Sequence, residues 1–354
     1  MAADDLLRTP NIDRSLMGLG CYVLSAALSW LVFVNTVAGN EDVRSITRSS
    51  DAPAQRDLAL TYAATIRGFK KADHVRVWVP MPQTTAHQRV VLQDVDVPAK
   101  ASYFQDPKYG NKLLYFEQRA PADAVSFSIR YGVQRKEMRA LTDRAREESL
   151  QDRVDLGLYL SPNSRVPLTG KPLSLIAEMK LAKSPLALAR QLYDRVDEHV
   201  RYDKSLPGYG NGDVLWVCDS QFGNCTDFHS LFISLARSQG IPARFEIGFP
   251  LPAERGTGVV SGYHCWAFFH TAEYGWVPVD ISEADKTPQL KDYYFGNLTE
   301  NRVGFTIGRD IELRPAAEQA TKNFFIFPHV EVNGESLPQE RVELKVSYAD
   351  GASS

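Results

Sequence analysis

From Leu58 onward the chain runs in short bursts of alternating apolar and polar positions. LALTYAATIRGF, HVRVWVPMP, RVVLQDVDVP, KLLYFEQR and AVSFSIRYGVQR follow one another, separated by Pro, Gly, Asp and Asn. Alternation with a period of two places one side-chain set on each face of a pleated strand. Repeated short strands with turn residues between them predict an antiparallel sheet or sandwich, so residues 58–136 read as a β domain. Tyr109-Gly110-Asn111 predicts a hairpin turn. The texture then changes. Residues 137–183 form a connecting segment, with a helix expected near Thr142–Arg153 and prolines at 162, 167 and 172. Ser184 as cap and Pro185 at the first helical position open a clear helix, whose Leu188, Leu192, Val196 and Val200 share one face. Residues 203–213 are a loop rich in Gly, Asp and Asn. In the following stretch Phe228, Leu231, Phe232, Leu235 and Ala236 recur at helical spacing, and Gly240 and Pro242 stop that helix. Arg244–Phe249, Tyr263–His270 and Gly275–Ile281 read as strands, with a loop at 253–262 and a turn near Ala272-Glu273. Two β segments around Asn333-Gly334 close the chain, and no internal repeat is present.

The first residues follow another pattern. Leu16–Val34 is an uncharged run long enough to span a bilayer as one helix. Thr36-Val37-Ala38 supplies small residues where a signal peptide would be cleaved. Asp4, Asp5 and Asp13 outnumber Arg8 and Arg14, which is unusual for such a signal. Residues 1–38 are therefore a signal peptide or an uncleaved membrane anchor, both open, and 39–57 a polar linker. Either places the rest of the chain outside the cytoplasm, in a periplasmic, extracellular or membrane-anchored setting.

Composition adds exclusions. In 354 residues, 44% are apolar and 23% charged, which fits ordinary globular domains rather than global disorder. The formal net charge of -3 comes without a Lys/Arg-rich run, so no nucleic-acid surface is expected. Four cysteines, at 21, 218, 225 and 265, are too few for a disulfide scaffold. With neither Cys-x-x-Cys nor His-x-x-x-His, a zinc site is not expected, and no cofactor is implied.

Cys225 lies in the first turn of the amphipathic helix. A helix N-terminus carries partial positive charge and unpaired N–H groups, which favour a thiolate and can hold an oxyanion. Gly223, just before it, lets a substrate backbone approach. Asn224 or Thr226 would cap the helix. A nucleophilic thiol needs a base, and the base needs a group that fixes its tautomer. His264 is in a strand where alternation puts it on one face with Trp266 and Phe268. Asp280 ends the strand Trp276-Val277-Pro278-Val279-Asp280, where a buried carboxylate needs a partner. Paired strands would bring His264 and Asp280 side by side, with the helix placing Cys225 over the histidine.

Gly223-Asn224-Cys225, Gly240-Ile241-Pro242-Ala243-Arg244, His264-Cys265-Trp266 and the strand ending in Asp280 occur in this order. Together they make residues 185–282 resemble the transglutaminase-like domain. The resemblance implies an α+β, papain-like core, a nucleophile helix packed on an antiparallel sheet, at 184–320. The β-sandwich-like domain would precede it and the β segments of 321–354 would follow. The β domain itself resembles the amino-terminal domain of some bacterial members. The resemblance also implies acyl transfer: Cys225 as nucleophile, His264 as base, Asp280 as orienter, and a thioacyl intermediate resolved by water or by an amine. It further implies a side-chain donor ahead of the cysteine, for which Gln221 and Trp216 are candidates. The calcium used by some animal relatives is not carried over, since no acidic calcium loop is present.

His229 shares a helix face with Cys225 but reads as structural, and His270 as a surface residue. Cys218 and Cys265 read as two buried thiols, or as a disulfide. Alternation puts Cys265 opposite His264, so such a bond would spare Cys225. The expected substrate is a peptide or protein, cell-wall peptide included, with hydrolysis favoured by the exported setting. Two other readings stay open: a non-catalytic peptide- or wall-binding module on the same fold, and an N-acetyltransferase using an acyl-thioester donor.

Overall fold

The computed structural model describes residues 52–121, 123–142, 156–318 and 321–351. The apolar run at 16–34 and, past Thr142, the helix expected near 142–153 lie outside the described residues. Among the described residues no helix is long and apolar enough to cross a membrane.

The alternating bursts form strands β1 (Gln55–Arg67), β2 (His74–Pro80), β3 (Gln88–Asp96), β5 (Lys112–Arg119) and β6 (Ala124–Lys136), with a short β4 (Ser102–Gln105) before β5. Gly110, with φ of 73°, makes the β4–β5 turn. The chain's last strands join them. β12 (His329–Val332) pairs with β2, and β14 (Val342–Asp350) lies antiparallel to β1, Leu58 opposite Asp350 and Ile66 opposite Val342. Asn333 and Gly334, both at positive φ, turn β12 into β13 (Glu335–Ser336). The segment 253–262, expected as a loop, contains β8 (Thr257–Val260), which pairs with β14. GTGVVSG shows no alternation of its own; its partner lies some ninety positions away, so the strand is a tertiary product. One sheet runs β8–β14–β1–β6–β3 and the other β13–β12–β2–β5–β4. Their inner faces meet where Phe127 of the first sheet packs edge-on to Phe116 of the second and stacks on Tyr62.

A further antiparallel sheet runs β10–β9–β7–β11, made of β7 (Ala243–Pro250), β9 (His264–Thr271), β10 (Gly275–Val279) and β11 (Arg302–Ile307). Helix α3 (Cys225–Ser238) lies on one face of it, through contacts such as Phe232 on Phe269. Helix α1 (Pro185–His199), capped by Ser184 as its sequence suggests, packs behind α3. Two short helices were not anticipated: α2 (Val214–Ser220), started by the Asp213 carboxylate, and α4 (Ile281–Lys286), started by Asp280. The architecture is α+β, with the nucleophile helix on an antiparallel sheet.

The edge strand β11 is held from outside its own sheet. The Gln88 amide donates to the Gly304 carbonyl and accepts from the Gly304 N–H, at 2.9 and 2.8 Å. The Asn111 amide does the same at Ile307, at 2.8 and 2.7 Å. Each side chain completes a pair of ladder bonds that an edge strand otherwise leaves open. Both come from the sandwich, so the sandwich fixes the outer edge of the sheet that carries the site.

Candidate active site

Asn224 caps α3. Its side chain accepts from the Thr226 N–H at 2.8 Å, and Asp227 reaches back to the Asn224 N–H at 2.9 Å. This Asn-x-x-Asp arrangement is a capping box. Asp227 is buried and also accepts from Gly210 N–H and Gly212 N–H, at 2.7 and 2.9 Å. One carboxylate thus fixes both the head of the helix and the Gly-rich loop beside it. Arg309, just past β11, donates to the carbonyls of Asn211 and Gly212 and to Ser230, clamping that loop from the other side.

Cys225 is buried at the head of α3, close enough to His264 and Cys265 for both to act on its thiol. His264 opens β9. Its Nε2–H donates to Asp280 Oδ2 at 2.7 Å, which leaves Nδ1 for the thiol. Asp280 directly follows β10 as the cap of α4, its Oδ1 accepting from Ser282 Oγ and Glu283 N–H, both at 3.2 Å. The strands pair as neighbours with Ala267 opposite Val279, so His264 and Asp280 lie diagonally across the β9–β10 ladder.

The electrostatics favour charge separation along this line. Burial pushes the Cys225 thiol up, but the hydrogen bonds from Cys265 and His264 and the charge of His264 outweigh it and hold it well below the ordinary thiol range. Burial pulls His264 down, and the Asp280 charge and hydrogen bond lift it to about 10. Burial alone would raise Asp280, but His264 and Arg302 hold it well below the carboxylate range. A thiolate beside an imidazolium is the state these shifts describe.

His229 occupies the back of the site and is wholly buried. Its Nδ1–H donates to the Cys225 carbonyl at 2.7 Å, and its Nε2 accepts the Ile281 N–H at 3.0 Å. A carbonyl only accepts and an amide N–H only donates, so these partners fix a neutral ring. Burial lowers its pKa in the same direction.

Alternation correctly separates Trp266 and Phe268 from Cys265, Ala267 and Phe269, which fall in different apolar clusters. The helix, however, lies on the Cys265 face rather than over His264. Cys265 Sγ sits 3.7 Å from Thr226 Oγ1 and 3.8 Å from His229 Nδ1, next to the nucleophile. His264, at the strand's first position, meets Cys225 at the end of the sheet. Cys218 and Cys265 are separate free thiols. Of the residues proposed ahead of the cysteine, Gln221 is exposed and adopts a left-handed conformation as the C-cap of α2, while Trp216 packs on Phe222 and over Gly208. Neither has a hydrogen bond to Cys225 among the described residues. His270 is half-buried against Trp276 rather than on the surface.

Sequence reasoning missed Arg302, Tyr263 and Tyr202. Arg302 Nη1 donates to Asp280 Oδ2 at 2.9 Å. The Tyr263 hydroxyl accepts from Asn224 Nδ2 at 3.3 Å, and Tyr202 lies close enough to feel the Cys225 charge. Nothing near Arg302 in sequence signals its role. The Asn224–Asp227 spacing did carry the signature of the capping box.

Among the described residues no group of His, Cys, Asp and Glu side chains is arranged to hold a metal ion.

Comparison with known proteins bears on the family and the fold. The family model for the transglutaminase-like superfamily matches residues 174–281. An uncharacterized protein of Haemophilus influenzae is 30% identical over 316 residues, covering 77% of this chain and 85% of its own. An uncharacterized protein of Mycobacterium leprae is 28% identical over 244 residues, covering 65% of this chain and 80% of its own. A Cytophaga hutchinsonii crystal structure, described as that of a candidate cysteine protease, shares the fold. It superimposes with a TM-score of 0.53 at 16% identity, covering 84% of this chain and 93% of that one.

Proposed function

The chain belongs to the transglutaminase-like superfamily, and on that premise we propose that it cleaves amide bonds through a thioacyl intermediate on Cys225. The observation that supports this is the buried line from Cys225 through His264 to Asp280, with its thiol held low and its imidazole held high.

In the proposed reaction the Cys225 thiolate attacks the carbonyl carbon of a peptide or side-chain amide. A C–S bond forms and the carbonyl electrons move onto oxygen. We assign the oxyanion to the backbone N–H of Cys225, which the capping box does not use; one such donor is typically worth about 2.7–4 kcal/mol in the transition state. His264 gives its proton to the nitrogen, the C–N bond breaks and an amine leaves. Water then attacks the thioester carbon and passes a proton to His264. The C–S bond breaks, releasing a carboxylic acid and regenerating the thiolate–imidazolium pair. An amine in place of water would give transfer rather than hydrolysis. We favour water because an exported enzyme meets peptide and wall amides in bulk solvent, and we propose that setting from the apolar run at 16–34. The substrate we propose is a peptide or protein.

The test is alkylation of the full chain by iodoacetamide across pH, with the label located by peptide mass mapping, in wild type and His264→Ala. Selective labelling of Cys225 well below pH 8.5, lost in the variant, supports the proposal. Labelling of Cys225 no faster than Cys218 and Cys265, with no effect of the variant, refutes it. Incubation of peptide amides with and without a primary amine then separates a free carboxylate product from an amine adduct.

A further inference from the structure

Asp280 Oδ2 accepts from two cationic groups at once: His264 Nε2 at 2.7 Å and Arg302 Nη1 at 2.9 Å. Asp280 is 0% and Arg302 4% exposed. The Arg302 guanidinium also lies over the Trp266 ring, 4.9 Å from its centroid. In the proposed reaction His264 is a cation only part of the time, since it hands its proton to the leaving nitrogen. At that moment Asp280 would be a buried carboxylate facing a neutral ring, which is costly without another counterion.

None of the remaining groups around Asp280 is a cation bonded to it. His229, from α3, has Nε2 3.8 Å from Oδ1 but is neutral by its hydrogen bonds. Cys265 of β9 and Tyr193 of α1 carry no positive charge. In α4, Lys286 is committed to Glu283 at 2.7 Å, and Glu283 is itself an anion. Arg302 is the cation of the set that bonds directly to Asp280.

Resting on the reading that Cys225, His264 and Asp280 act together, we propose that Arg302 is a positioning residue that keeps Asp280 ionised and oriented through the catalytic cycle, and that the β-sandwich sets its place. Arg302 opens β11, and β11 is the strand that Gln88 and Asn111 hold from the sandwich at Gly304 and Ile307. The sandwich is thereby linked to the site chemistry through one strand.

The experiment measures the rate of Cys225 alkylation by iodoacetamide between pH 4 and 8 in the full chain. Wild type, Arg302→Met, Arg302→Lys and Gln88→Leu are compared, with circular dichroism at each pH to confirm folding. Without Arg302, Asp280 takes up a proton at higher pH and the imidazolium loses its partner, so the thiolate is lost earlier on acidification. The expected result is an acid edge displaced upward by a pH unit or more in Arg302→Met. The edge should be largely restored in Arg302→Lys and displaced less, in the same direction, in Gln88→Leu. A purely structural arginine would lower the melting temperature without moving the edge. A folded Arg302→Met with the wild-type edge overturns the proposal; if that variant does not fold, an unshifted edge in a folded Gln88→Leu overturns it. A wild type whose Cys225 is not activated at all refutes the thiol-enzyme reading as well, which separates the two failures.

Discussion

The imidazole of His229 ties the carbonyl of Cys225 to the N–H of Ile281, at 2.7 and 3.0 Å, and so joins the start of the nucleophile helix to the residue that follows Asp280. Cys225 and Asp280 come from separate elements, and this neutral ring sets the spacing between them. Replacing it with phenylalanine keeps the volume and leaves the buried Ile281 N–H unpaired, which costs about 1–3 kcal/mol, while the Cys225 carbonyl keeps only its bond within the helix. Urea denaturation of His229→Phe should show that loss, with slowed alkylation of Cys225. An unchanged midpoint would mean that the strut contributes nothing.

The titration of the site predicts a shaped stability curve. Below about pH 6.5, the ordinary histidine value, both states keep their imidazole protons while only the unfolded chain keeps its thiol proton, so stability rises with pH. Between about 6.5 and 8.5 the unfolded chain holds the thiol proton and the folded one the His264 proton, and the two contributions cancel. Above about 8.5 only the folded His264 is still protonated, and stability falls as pH rises through about 10. Subtracting a Cys225→Ser/His264→Ala double variant removes the background of other groups. The difference should rise, level off and fall across these windows, and a monotonic difference would contradict the ion-pair assignment.

Asp227 accepts three backbone N–H bonds in a buried position. Asp227→Asn keeps the shape but turns one acceptor into a donor facing a donor. The expected cost is about 1–3 kcal/mol, accompanied by slower Cys225 labelling as the helix cap and the 208–212 loop loosen together. Thermal melts and alkylation rates on the same samples would check that the two losses coincide.

Glycines 248 and 240 make a contrasting pair. A Cβ at Gly248 would run into the Val303 carbonyl, where β7 pairs with β11 next to Arg302. Backbone cannot rotate away, so Gly248→Ala should cost at least the about 1–3 kcal/mol of ordinary overpacking and reduce Cys225 reactivity. At Gly240 the added methyl meets open space, but φ is +76°. There Ala should cost only about 1–2 kcal/mol of left-handed strain and leave reactivity alone. Equal effects on reactivity would argue that β11 does not govern the site.

The sequence by itself determined the elements whose pattern is local. The alternation of LALTYAATIRGF and its successors set strand faces, Ser184-Pro185 started α1, and the order of cysteine, histidine and aspartate within family-like motifs pointed to the site. These are one-dimensional signals, because side-chain period and capping chemistry repeat within a few residues. What only the tertiary structure decided came from contacts between distant segments. Val342–Asp350 pairs with β1, and GTGVVSG becomes a strand only by pairing with β14. Helix α3 lies on the Cys265 face of β9, since alternation distinguishes two faces without saying which one a helix will cover. Arg302 meets Asp280 across 22 positions and two strands, with no local pattern to announce it, because a buried charge finds its partner through packing and not through spacing along the chain.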